Sequence, residues 1–188
     1  MDSNIPLDNG ARVSPSVARN TEPILDVLRA HLPHRGKVLE IASGTGEHAV
    51  AALKALPGLD WTPTDPDAEA RHSIDAWRKQ SGVEGLRAPL DLDVTDPATW
   101  PQTTFQAVIC INMIHISPWA ATTGLMQGAA KVLTNPGGLL FLYGPYREAD
   151  EPLAPSNAAF DQSLKARNPA WGLRAFEDVV QEAAKSGM

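Results

Sequence analysis

The chain has 188 residues, enough for one domain with a sizeable core, and 43% of them are hydrophobic, as in an ordinary soluble globular protein. Its formal net charge is −6 with no basic cluster, which excludes the electrostatic footprint of a nucleic-acid binder and favours a small-molecule substrate. A lone cysteine, Cys110, precludes an internal disulfide framework, and no apolar run approaches the roughly 20 residues that cross a bilayer. The N-terminus lacks the charged-then-apolar pattern of a signal peptide. A cytoplasmic protein is expected, with neither membrane nor nucleic acid as partner.

Residues 1–13 are polar and are expected to be a flexible segment. A helix is predicted over 14–31, where Val17, Ile24, Leu25, Leu28 and Leu32 recur at helical spacing and Pro23 should split or kink it. Strands and helices then alternate. Strands are expected over 38–41, 59–64, 86–92, 105–112 and 139–143. Helices are expected over 47–56, 66–80 and 118–133, followed by two more over 156–167 and 174–185. Apolar strands separated by helices imply parallel βαβ units, hence an α/β fold: a Rossmann-like three-layer αβα sandwich with a mostly parallel sheet, as one domain over 14–188. The sequence stops after the last helix without a further strand. Either a closing C-terminal strand pair is missing from it, or a partner, such as a second copy in a homodimer, covers the last strand's edge.

The stretch from Lys37 to His48 carries the chemistry. An apolar run ends in Glu40, a turn through Ala42, Ser43, Gly44 and Gly46 follows, and a helix begins. Glycine lets the backbone approach a ligand, and the helix start presents free N–H groups, so the turn is a nucleotide-cofactor site. Two cofactors compete. Gly44-x-Gly46-x-x-Ala49 with Asp65 downstream satisfies the dinucleotide pattern of an NAD-dependent oxidoreductase. Three features favour S-adenosylmethionine (SAM) instead. Glu40 suits a positive amino acid end and would repel a pyrophosphate. Asp65 and Asp93 follow successive strands, where they can meet ribose hydroxyls and an adenine amine. Asn135-Pro-Gly-Gly138 turns into the last strand. Each acid also has a structural alternative: Asp65 as a helix cap, Asp93 as a cap of residues 95–100, Glu40 as an ion-pair partner.

In this order, acid, glycine turn, ribose acid, adenine acid and Gly-Gly turn, the chain resembles class I SAM-dependent methyltransferases. More narrowly, Leu39-Glu-Ile-Ala-Ser-Gly-Thr-Gly46, Asn112-Met-Ile-His-Ile-Ser-Pro-Trp119 and Leu142-Tyr-Gly-Pro-Tyr146 look like a small family long catalogued as a domain of unknown function and related to methyltransferase-like protein twenty-six. The resemblance implies a SAM-binding fold with transferase activity, S-adenosylhomocysteine as product, and an unnamed acceptor. Ala42 departs from the wider class by replacing its first glycine, and a positive φ there would be disfavoured.

Asn20, Glu40, Ala42, Ser43, Gly44, Gly46, Asp65, Asp93, Val94 and Asn112 are the expected cofactor contacts. His115 is the candidate general base, since an imidazole ordinarily titrates near ~6.5, and Tyr146 joins it as a candidate catalytic residue. Tyr143 and Asn157 are further candidates for the acceptor pocket. No metal is required, because the methyl of a sulfonium is already activated, and the histidines form no ligand set. A SAM-binding regulatory protein without catalysis is the remaining alternative.

Overall fold

The computed structural model describes residues 4–188. Residues 4–13 form a hairpin rather than loose chain: β1 (Ile5–Pro6) runs antiparallel to β2 (Arg12–Val13). Two side chains of α3 (Ala68–Gln80) fasten it. Arg12 N–H donates to Ser73 Oγ at 2.8 Å, and the Trp77 indole donates to the Arg12 carbonyl at 2.9 Å. The first three residues of the expected flexible segment lie outside the described ones.

Helix α1 (Pro15–His31) has Pro15 in its first turn, where a missing N–H costs nothing. The expected split at Pro23 does not occur. Pro23 is exposed, while Ile24, Leu25 and Leu28 beside it are buried, and that packing carries the helix past the proline.

Four strands form a wholly parallel sheet. In chain order they are β3 (Gly36–Ile41), β4 (Leu59–Pro63), β5 (Ala107–Ile111) and β6 (Leu139–Tyr143), and in space the order is β4-β3-β5-β6. Parallel strands need crossovers. Helices α2 (Glu47–Ala55), α3 and α4 (Trp119–Val132) lie in these crossovers, and α5 (Pro155–Arg167) and α6 (Phe176–Lys185) follow β6. Side chains alternate across the sheet, as the period of two requires. Ala107, Ile109 and Ile111 of β5 join the core under α1 and α2, while Val108 and Cys110 join the one under α4 and α6. All five residues of β5 are buried, and Leu125 and Met126 of α4 are fully so; burying each such side chain is worth about 1.5–3 kcal/mol. Burial also pushes the Cys110 thiol up to about 12, so it stays protonated and acts as a small apolar side chain.

The strand expected over 86–92 is not a ladder. It touches β4 through isolated parallel bridges, Trp61 to Leu86 and Thr64 to Leu90. Pro89 offers no N–H between them, which interrupts pairing at its centre. At the other edge, β6 has no outer neighbour among the described residues, and a cavity of about 710 Å³ runs between it, α4 and α6. Among the described residues, no helix is long and apolar enough to cross a membrane.

Helix α4 approaches the segment after β4 closely because two glycines lie one turn apart on it. A Cβ at Gly124 would stand 2.2 Å from the Val94 carbonyl oxygen, and one at Gly128 would stand 2.0 Å from the Trp100 ring. Gly128→Ala should therefore lower stability by about 1–3 kcal/mol through overpacking. Urea denaturation measures this, and an unchanged midpoint would show that the indole simply moves aside.

Candidate functional site

The turn from β3 to α2 is bent by left-handed residues. Ala42 has φ 53°, Gly44 φ 57° and Gly46 φ 90°. The positive φ that alanine disfavours is thus adopted at Ala42, at a cost of roughly 1–2 kcal/mol that the surrounding bonds must offset. Several do. Ser43 N–H donates to the Thr64 carbonyl at 2.8 Å, and Thr64 N–H donates to Ser43 Oγ at 3.1 Å. Gly44 N–H donates to Asp65 Oδ2 at 3.0 Å, and Asp67 N–H donates to Asp65 Oδ1 at 2.9 Å. The glycine turn is thereby clamped to the end of β4. Gly46 is required for packing as well as for φ, since a Cβ there would stand 3.0 Å from the Ile74 Cα.

Beneath the turn lies a cleft with two compartments. The first, about 330 Å³, is walled by Glu40, Ser43, Gly44, His48, Asp65 and Asn112. The second, also about 330 Å³, is largely apolar and is walled by Leu92, Asp93, Val94 and Ala121. Ala42, Pro66 and Met113 line both, so the two are continuous in their walls. Asn4, Ser14 and Val17 cover the first compartment from the N-terminal side. That cover is fixed by Glu47, whose Oε2 accepts from Ser14 N–H at 2.7 Å and from Thr45 Oγ1 at 2.8 Å.

The electrostatics are one-sided. Glu40, Asp65 and Asp93 line the cleft, and among the described residues no Lys or Arg does. Glu40 is 1% exposed, and its Oε2 accepts the Trp61 indole N–H at 3.0 Å. Burial raises its carboxyl from 4.5 to about 7; bonds from Trp61 and Ser43 oppose the rise, and the neighbouring Asp65 adds to it. Asp65 is also raised by burial, against the N–H groups of Asp67 and Gly44 that favour its charged form. His48 is pushed down to about 4 by burial and is neutral at pH 7. Asp93 is exposed, and its Oδ1 accepts from Thr95 N–H at 2.9 Å and Thr95 Oγ1 at 2.7 Å, so it shapes a local turn while its residue lines the apolar compartment.

The expected cofactor residues Glu40, Ala42, Ser43, Gly44, Asp65, Asp93, Val94 and Asn112 come together around this cleft. Asn112 sits at the end of β5 with φ 60°, its N–H donating to the Tyr143 carbonyl at 2.8 Å. Gly46 caps α2 just behind the wall. From α1 it is Val17, with Ser14 and Ser16 before it, that reaches the cleft; Asn20 lies a turn further along and is not in its lining.

The two expected catalytic residues are placed elsewhere. His115 is 4% exposed, meets Phe160 edge-on at 5.5 Å, and lines neither compartment. Burial, helped by Arg174, pushes its imidazole down to about 4 rather than leaving it poised near neutrality. It is still a neighbour of Asn112: a Cβ at Gly144 would stand 3.3 Å from His115 Nδ1 and 3.6 Å from Asn112 Oδ1. Tyr146 faces the cavity along β6, with its ring centre 6.3 Å from that of Phe176, and burial pushes its phenol upward. Tyr143 packs against the core under α1 and α2. Asn157 is half-buried in the first turn of α5. Among the described residues, no group of three or more His, Cys, Asp or Glu is arranged to hold a metal.

Sequence reasoning missed His48, Met113, Pro66 and the Ser14–Val17 cover. His48 could have been found from its place in the first helical turn after Gly46. The cover could not, because its bond to Glu47 joins residues 33 apart by a side chain.

The Glu40 carboxyl gives a test of the site's electrostatics. A carboxyl raised on folding favours the fold while protonated, so its contribution is complete below about 4.5 and is lost as pH rises to about 7. Glu40→Gln, which stays neutral, should be more stable than the parent at pH 8 by roughly 3 kcal/mol and nearly equal to it at pH 4. Urea midpoints at the two pH values decide it, and equal differences at both would mean that Glu40 does not titrate there.

Comparison with known proteins places this architecture. The structure matches an O-methyltransferase family protein from Burkholderia thailandensis with a TM-score of 0.75 and 16% identity, covering 92% of this chain and 52% of that one. It matches human N-acetylserotonin methyltransferase, in a complex with SAM, with a TM-score of 0.74 and 15% identity, covering 92% and 47%. The chain therefore has the Rossmann-like methyltransferase fold and spans about half the length of these proteins. In sequence it is 33% identical over 120 residues to the highly reducing polyketide synthase lcsB of Purpureocillium lilacinum, which is 60% of this chain and 5% of the synthase. A family model described as "Protein of unknown function (DUF938)" matches residues 11–188.

Proposed function

Because the chain belongs to DUF938, a family described as of unknown function, its activity has to be read from its cleft, and we propose that it is a SAM-dependent methyltransferase acting on a small-molecule acceptor. The observation that carries this is the charge of the cleft: three acids and, among the described residues, no Lys or Arg. SAM brings a sulfonium and an ammonium to such a wall. NAD would bring a pyrophosphate up against Glu40 and Asp65, which repel it, and that sets the oxidoreductase reading aside. The methyltransferases with this fold support the same choice, since one of them was solved with SAM.

The residues fit SAM by chemistry. Glu40 and the Ala42–Gly44 backbone would take the amino acid end, and Asp65 the two ribose hydroxyls. Leu92, Val94 and Met113 form an apolar slot for a flat base, with Asp93 at its rim. Asp65 can serve the ribose while holding Gly44 and Asp67, because each carboxylate oxygen accepts two bonds.

Bound SAM supplies an activated methyl for an in-line displacement. What remains to this chain is positioning, exclusion of water and, for some acceptors, removal of a proton. Asn112, held left-handed at the end of β5, is placed to orient an acceptor. His115 fits poorly as a general base, being enclosed and pushed down to about 4 by burial. His48, neutral at pH 7 and on the cleft wall, is the imidazole available to accept a hydrogen bond from the acceptor.

Calorimetry separates the readings. S-adenosylhomocysteine should bind at one site and NAD should not; binding of NAD alone would overturn the proposal. Asp65→Ala should weaken S-adenosylhomocysteine binding about tenfold or more, because two ribose hydroxyls lose their acceptor and the glycine turn loses its clamp. An unchanged affinity would refute the assignment of Asp65. Binding without methyl transfer to any of a panel of hydroxyl, amine and thiol compounds would indicate a SAM-binding protein without catalysis.

A further inference from the structure

A separate cavity of about 450 Å³ shares no lining residue with the cleft. It lies between α6, Trp119 at the start of α4, and two extended segments around Arg147 and Arg174. Those segments are joined as a short parallel bridge. Arg147 N–H donates to the Arg174 carbonyl at 2.9 Å, and Phe176 N–H donates to the Arg147 carbonyl at 2.8 Å. The backbone thus brings two arginines to one cavity in a chain whose net charge is −6.

The charges around the cavity are unevenly satisfied. Lys165 pairs with Asp161 at 2.5 Å, and Lys185 pairs with Glu182 at 2.7 Å. Among the described residues, Arg147 and Arg174 form no ion pair, although Asp161 attracts both from further off. Arg147 Nε donates to the Leu173 carbonyl at 3.0 Å, and its terminal nitrogens make no hydrogen bond among the described residues. Arg174 Nη2 donates to the carbonyls of Ser117 and Ala170, each at 2.7 Å, which fixes the guanidinium, and its buried Nε makes no hydrogen bond. Leaving such a buried donor unsatisfied is ordinarily costly. Burial lowers the affinity of Arg174 for a proton; Asp161 opposes the change and Arg147 adds to it. Two guanidiniums on the lining of one cavity, each anchored to a backbone carbonyl and neither in an ion pair among the described residues, offer N–H donors to an oxyanion.

We propose that this cavity is a carboxylate-binding site, in which Arg147 and Arg174 take the carboxylate of a small molecule and the Trp119 ring walls its apolar part. The charge balance selects a monoanion. Once each lysine is assigned to its own acid, two arginines face Asp178, the acid of the lining with no ion pair, and one positive charge is left over. A phosphate dianion would exceed that charge and meet Asp178. Trp119, with the Arg174 guanidinium 5.9 Å from its ring centre, offers a flat wall. The cavity volume suits a compact ligand. The assignment is independent of the methyl-transfer proposal, because it uses none of the cleft residues.

The test is a calorimetric titration of the full chain with sodium benzoate at constant ionic strength, with benzamide and sodium phosphate alongside. Benzoate should bind saturably at one site in the millimolar range, more tightly than phosphate, and benzamide should not bind. Arg147 is exposed, so Arg147→Gln should fold, as its circular dichroism and melting curve will report, and should bind benzoate about tenfold more weakly. Arg147→Lys, which keeps the charge and loses the fork, should fall between them. Absence of saturable benzoate binding, equal binding of benzamide, tighter binding of phosphate, or parent-like binding by Arg147→Gln would each overturn the site.

Discussion

The clamp between the glycine turn and the end of β4 is the constraint on which the cleft depends. Ser43, Gly44 and Asp65 exchange bonds across the two strand ends, and they hold Ala42 in a backbone region it would not choose alone. Released, Ala42 would relax toward negative φ and carry Ser43 and Gly44 away from Asp65. The cavity wall, the cap of α2 and the position of Glu40 would change together. A neighbouring strain repeats the device, since Asn112 also turns left-handed at the end of β5, the strand next to β3. Two strained residues at adjacent strand ends open the space between the strands, where ligands of parallel sheets lie.

Most of the fold was legible because its central strands are short, apolar and buried on both faces. Ala107–Ile111 could be nothing but an inner strand, and β6 was readable for the same reason although its residues are only half-buried. The segment 86–92 misled because its apolar spacing suits a strand, whereas pairing depends on an N–H that Pro89 lacks. The opposite error occurred at Pro23, where a breaker was overruled by the burial of Ile24 and Leu28.

The walls of the cleft were legible where an acid sits next to a backbone signal, as at Glu40, Gly44 and Asp65. Placement was not legible where it was expected from proximity in sequence alone. His115 and Tyr146 follow strand ends as Asn112 does, yet one is turned inward against Phe160 and the other outward along β6. Which way a residue after a strand faces depends on packing that a sequence does not display. Likewise, the spacing of Gly124 and Gly128 announces a close approach to α4, but what approaches, a carbonyl and an indole ring, is decided some thirty residues upstream.

The acid wall of the cleft has a consequence for turnover. In the proposed reaction the donor enters with a positive sulfur and leaves with a neutral one, while the wall stays acidic. A surface of fixed sign then holds the donor more firmly than the spent carrier, and the same acids that gather one discharge the other. Release of the spent carrier would thereby be eased. It would follow from the sulfur's own change of charge, set against carboxyls that the fold cannot move.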